Sequence, residues 1–177
     1  MKSELDSVKE WYKYNSYARK KYLSAIFTKI PEEERYKDRG ASHPSIIDIY
    51  IHVLDAYRYW FIYFYEDKIS EYEPLPIGKR YTKSETEAEE KKVDSHVMSL
   101  VEKLTPDDLE RYVQVREDGE TLQFQLRDIL IHMIEEELQH RGELNSLFWQ
   151  LDIEPPLMDL RDPNFFLPSK TLHESHR

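Results

Sequence analysis

The residues best suited to chemistry lie in "HMIEEELQHRGEL", which runs from His132 to Leu144. Glu136 and His140 stand four residues apart. On a helix such residues are surface neighbours, so a carboxylate and an imidazole so placed can share one cation. At about 100° per residue, Ile129, Leu130, Met133, Leu144, Leu147 and Phe148 gather on one apolar arc. His140 and Glu137 fall inside that arc, Glu136 on its edge and His132 just outside. A core-facing His and Glu lose solvation unless something satisfies them, and a metal ion does so. Two ligands rarely make a site, so the third must come from another helix. His52, in "IHVLDAYRYW", is the candidate. The competing reading stays open at this point. A lone buried histidine usually packs with a hydrogen bond, "EEE" is often a solvated helix face, and Glu136 could pair with a cation on a neighbour. His43, His96, His173 and His176 lie near helix ends, off the apolar stripe or in the tail. They read as structural or solvent-exposed.

Four long helical segments must position these groups. The first covers about Ser3 to Lys29, where Val8, Trp11, Ala18, Tyr22 and Ala25 follow three-and-four spacing. Asn15 interrupts that face and calls for an internal hydrogen bond. The second starts near Ser42-His43-Pro44, with Ser42 or His43 as cap and Pro44 in the first turn, and runs to about Asp67. Its wide stripe includes Ile46, Tyr50, Val53, Leu54, Tyr57 and Phe61. The third follows "SETE", read as a capping box with Ser84 at the cap and Glu87 three residues on, and ends near Leu104. Asp118-Gly119 lies between two short β-prone runs and marks a small hairpin or a tight loop. The fourth segment starts near Thr121 and ends near Leu151. The sum is an all-α four-helix up-down bundle over residues 1–155, with one longer crossover allowed and a Pro-punctuated tail over 156–177.

Composition limits the function further. The chain has 177 residues, 40% hydrophobic and 34% charged, with 13 Tyr, 7 Phe and 3 Trp to fill a core. Net charge is −10 with no basic stripe, which speaks against a nucleic-acid partner. Cysteine is absent, which excludes disulfides, Cys-ligated zinc and a cysteine nucleophile. No apolar run approaches a bilayer span and no signal pattern opens the chain, so no membrane partner and a cytoplasmic location are expected.

Several stretches together resemble the DinB superfamily of four-helix metal-binding proteins, also called DinB/YfiT-like. "YNSYARKKYLSAIFTKIPEEE" is similar to the family's first helix, "SIIDIYIHVLDAYRYW" to its second, and "DGETLQFQLRDILIHMIEEELQHRGEL" with "EPPLMDL" to its last helix and exit. The "HRG" of His140 to Gly142 is the most specific piece. Gly142 in mid-helix is unfavourable by about 1 kcal/mol against Ala, and close approach of a neighbouring helix would explain it. The resemblance implies a three-histidine site, one ligand from the second helix and two at i and i+4 in the last. Those positions are His52, Glu136 and His140, so this chain carries Glu where the family usually has His.

Three readings of that departure are open. The site binds a divalent ion (Zn, Ni or Fe) through two histidines and a carboxylate. Or it recruits His132, which lies about 12 Å from His140 along the axis, too far for one ion. Or the metal is lost and Glu136 pairs with a histidine. The resemblance also implies homodimers, and activities such as transfer of low-molecular-weight thiols or isomerisation of maleylpyruvate. The expectation is a metal-dependent transferase or hydrolase that activates a water or a low-molecular-weight thiol cosubstrate. The alternative is a non-enzymatic dimeric bundle with an altered or lost metal site.

Overall fold

The computed structural model describes residues 3–158 apart from Asp118. His173, His176 and most of the 156–177 tail therefore lie outside the described residues. Among the described residues the chain is all-α apart from one hairpin. Its long helices are α1 (Glu4–Lys29), α3 (Ile46–Tyr57), α4 (Lys83–Lys103) and α6 (Leu126–Gln150). Two single turns, α2 (Glu32–Arg35) and α5 (Pro106–Leu109), and the strands β1 (Tyr112–Glu117) and β2 (Glu120–Gln125) connect them. Among the described residues no helix is long and apolar enough to cross a membrane.

Cross-helix contacts fix the directions. Lys9 reaches the carbonyls of Glu102 and Leu104 while Lys20 reaches Asp94, so α1 and α4 are antiparallel. His52 meets Glu136 while Trp60, further along, meets His132, so the second helix and α6 are antiparallel too. Arg127 pairs with Glu4 and Glu137 with Arg19, which makes α1 and α6 parallel. The bundle is therefore up-down-down-up. Its long crossover, over residues 65–82, joins α3 to α4, the two helices that run the same way. The core between them is apolar and aromatic. Ile26, Ile47, Leu54, Phe61, Val93 and Phe148 have no exposed surface, and Tyr12 packs edge-on against Tyr57 and Phe61.

Several helix starts differ from the sequence reading, for local reasons. Ser45 rather than Ser42 or His43 caps α3, its hydroxyl accepting from the Asp48 amide at 3.3 Å. Thr82 rather than Ser84 caps α4, because "TKSE" is a capping box two residues ahead of "SETE". Its Glu85 carboxylate accepts from the Thr82 amide and hydroxyl at 2.8 and 2.7 Å, which holds that acid down to about 2. Residues 121–125 form β2 instead of opening the last helix. Leu122 and Phe124 alternate with polar residues at the strand period, and β2 pairs antiparallel with β1 from Tyr112↔Gln125 to Glu117↔Glu120. Gly119, at φ +84°, supplies the turn.

The second helix also changes character along its length. α-Helical bonding ends at Tyr57, and Arg58–Phe64 form a π-helix, with the Tyr65 amide donating to the Trp60 carbonyl at 3.0 Å. The wider turn keeps Phe61 and Phe64 buried along with Tyr57. In α1, Tyr12 occupies the core and Trp11 is half-buried. Asn15 is fully buried, and its side chain lies against the Tyr57 hydroxyl of the neighbouring helix, whose pKa it helps to lower.

Candidate metal centre

The second helix and α6 bring His52, Glu136 and His140 together. One donor atom from each lies within 4.8 Å of the other two. His52 Nε2 lies 2.9 Å, and His140 Nε2 3.1 Å, from the same oxygen, Oε1 of Glu136. The i,i+4 step on α6 produces the Glu–His pair, and the antiparallel packing of α3 delivers His52 opposite it. The centre lies near the surface: the side chains of His52, Glu136 and His140 are 31%, 19% and 5% exposed. A small solute can therefore approach from the His52 side.

The protonation pattern tests whether a cation fits. His140 Nδ1 lies 3.1 Å from Oε2 of Glu143. Glu143 also accepts from the Ser42 amide at 2.7 Å and the Ser42 hydroxyl at 2.6 Å. Burial pushes this carboxyl up, but the Ser42 bonds and His140 outweigh it and hold it below the usual glutamate value. An ionised Glu143 can only accept, so His140 Nδ1 carries a proton and a neutral ring presents a lone pair at Nε2. That lone pair faces Oε1 of Glu136, another acceptor, and only a proton or a cation between them resolves the contact. Burial pushes Glu136 up as well, while bonds and charge from His52 and His140 hold it low. Two imidazole nitrogens and one anionic oxygen are a donor set that Zn²⁺ and Fe²⁺ accept. The residues present fit a divalent ion.

Other candidates fall elsewhere. His132 is exposed on α6, with its ring packed against Trp60 at 5.5 Å between centroids, and takes no part in the cluster. His96 pairs with Glu66 at 3.0 Å across α4 and the far end of the second helix. His43, read from sequence as structural or exposed, belongs beside the site. Its ring stacks on His52 at 4.0 Å and 25°, and meets His140 edge-on at 5.7 Å. Burial first, then the neighbouring imidazoles, lowers its pKa below the ordinary 6.5. The bend before α3 carries it there, and chain order gave no sign of that. Glu143 was also missed, although it falls within about 20° of Glu136 on the helical wheel.

Behind the site lies a buried ionic network. Oε2 of Glu137 accepts from Arg19 Nη1 at 2.6 Å and from the Tyr57 hydroxyl at 2.7 Å. Arg19 also reaches Asp94 at 3.1 Å. These contacts tie α1, α3, α4 and α6 together one residue away from Glu136. "EEE" thus divides by position, with Glu135 exposed, Glu136 at the site and Glu137 in the core.

A comparison with curated proteins returns no match. The sequence profile of the DinB family matches residues 1–166, nearly the whole chain. With the all-α bundle and a His/Glu cluster between its second and last long helices, the chain belongs to the DinB family.

Proposed function

We propose that this protein is a divalent-metal enzyme of the DinB type, in which His52, Glu136 and His140 hold a zinc, nickel or iron ion. The observation that carries the reading is the meeting of both Nε2 atoms on one Glu136 oxygen, with Glu143 fixing the proton of His140 at Nδ1. Such an ion supplies Lewis acidity, lowering the pKa of a water or a low-molecular-weight thiol so that its anion can attack an electrophile. The chain holds no cysteine, so a sulfur nucleophile must arrive as cosubstrate. Glu136 contributes an anionic oxygen where the family usually has a neutral imidazole. It binds the cation more strongly as a charge but leaves it less electron-poor, which favours modest activity or a different metal preference. Partly exposed His52 leaves the approach for the cosubstrate open.

A second reading rests on the same contacts. If His140 carries both protons, Glu136 and Glu143 satisfy it without an ion and the cluster is structural. Elemental analysis of protein purified without a chelating column separates the two. About one equivalent of zinc, nickel or iron per chain supports the metal reading, and metal-free protein supports the structural one.

The functional unit is a homodimer in this reading. Ile131, Leu138 and Trp149 are exposed by 44%, 41% and 58% and fall within about 20° of one another on α6. Gly142 lies in the same strip, and a Cβ there would meet nothing within 4 Å, so the neighbour expected over it does not come from the described part of this protomer. A second copy docking on that strip would cover the apolar side chains and approach closely at Gly142. Light scattering at micromolar concentration should give twice the chain mass of 21.4 kDa, and the single-chain mass would rule the dimer out.

A further inference from the structure

His43 stands at the mouth of the site without being one of its three convergent donors. Its position is nonetheless built. Glu143 accepts from both the amide and the hydroxyl of Ser42, at 2.7 and 2.6 Å, and so pins the bend before α3 onto α6. The Ser42 hydroxyl gives its proton to Glu143, so towards His43 Nδ1, at 3.2 Å, its oxygen can only accept. Nδ1 of His43 therefore carries the ring proton, and its Nε2 carries the lone pair. His140 is in the same state for the same reason, with Nδ1 bonded to the other end of that contact, Glu143. One carboxylate thus sets two imidazoles in the tautomer that a metal ion requires, His140 directly and His43 through Ser42. No hydrophobic role accounts for this. The ring is half-buried and lies on His52 at 4.0 Å rather than filling the core.

We propose that His43 is a fourth protein ligand, which turns its Nε2 to the ion that His52, Glu136 and His140 hold. The inference rests on the metal reading above. It requires the His43 ring, which is stacked on His52 and held at Nδ1 by Ser42, to turn its Nε2 inward from a bend outside any helix or strand. Three histidines and one carboxylate then complete a four-coordinate set of the kind found in closed sites. A small-molecule ligand, thiol or water, would reach the ion by displacing His43. The set would then contain three imidazoles, His43, His52 and His140.

The test uses the full chain loaded with cobalt(II), in wild type, His43→Ala and His43→Phe. Phe keeps a flat ring on His52 but offers no nitrogen. Affinity is read by competition with a chromophoric chelator, and coordination by the visible absorption of the bound cobalt. Both variants should bind at least about tenfold more weakly and lose intensity in the tetrahedral band. Added imidazole should restore the band in His43→Ala and leave wild type unchanged. Equal affinity and equal spectra in all three proteins would overturn the proposal and leave the three-ligand site standing. Loss in His43→Ala with full retention in His43→Phe would also overturn it, since stacking would then be the whole role. A wild type that takes up no cobalt would overturn both the proposal and the metal reading on which it rests.

Discussion

Glu137→Ala should be one of the most destabilising single changes in this protein. Glu137 and Arg19 are 3% and 4% exposed, and their 2.6 Å contact is supplemented by the Tyr57 hydroxyl at 2.7 Å. Removing one partner of a buried pair costs about 3–5 kcal/mol, because the other charge is left without compensation. Here Arg19 retains Asp94 at 3.1 Å, whose side chain is 15% exposed, so the loss belongs near the lower end, about 3 kcal/mol. At roughly 2–4 °C per kcal/mol for a chain of this size, the melting temperature should fall by about 6–12 °C. Glu137→Gln keeps an oxygen for Tyr57 and loses only the charge, so it should cost less. The double change Arg19→Met with Glu137→Leu should recover part of the loss, since the Arg19–Glu137 pair is then removed as a unit, while buried Arg141 still loses its 3.9 Å contact with Glu137. Urea unfolding of wild type, Arg19→Met, Glu137→Leu and the double variant closes a thermodynamic cycle. A loss under about 1 kcal/mol for Glu137→Ala, or a coupling energy near zero, would refute the claim that this network ties the helices together.

Three further outcomes are expected. Glu90 is 4% exposed with its Oε1 unpartnered, and burial raises its carboxyl above the ordinary 4.5 against the pull of Arg19. A raised carboxyl favours folding at pH values below 4.5, and that contribution is lost as pH rises through the folded value. Glu90→Gln should therefore be more stable than wild type at pH 7, with the gap closing below pH 4.5; urea midpoints that show the same gap at both would contradict this. Glu136→His should hold or raise affinity for nickel and zinc, measured by chelator competition, and a marked drop would count against position 136 as a ligand position. Trp149→Glu should give single-chain mass in light scattering with metal content unchanged, whereas a persisting dimer would place the interface elsewhere.

Most of the helical layout was legible because each long helix carries an apolar stripe at the helical period. The site was legible in part for the same reason: His140 and Glu136 stand one turn apart at the edge of that stripe, and His52 lies in the middle of the facing helix. What was not legible depends on overlapping local signals or on tertiary contact. "TKSE" and "SETE" both match a capping box, and only the packed helix selects the first. The strand Glu120–Gln125 was absorbed into the helix that follows it, because two alternating apolar residues make a weaker signal than a long periodic run. Tyr57 to Phe64 kept its helical character, but the switch to π bonding depends on how the aromatic rings pack against the core. His43 precedes its helix on a bend, so no periodicity points it at His52. Arg19 sits on the first helix, and nothing near it in sequence signals that Glu137 is its partner.

The central claim is that Glu136 and the two histidines hold a divalent ion together. Its most direct test is zinc affinity by competition with a chromophoric chelator, in wild type and Glu136→Ala. The account predicts one tight site per chain in wild type and a loss of at least about tenfold in the variant, as expected when one of three converging ligands is removed. Equal affinity in the two proteins would contradict it, and Glu136 would then be only the acceptor of two histidine hydrogen bonds.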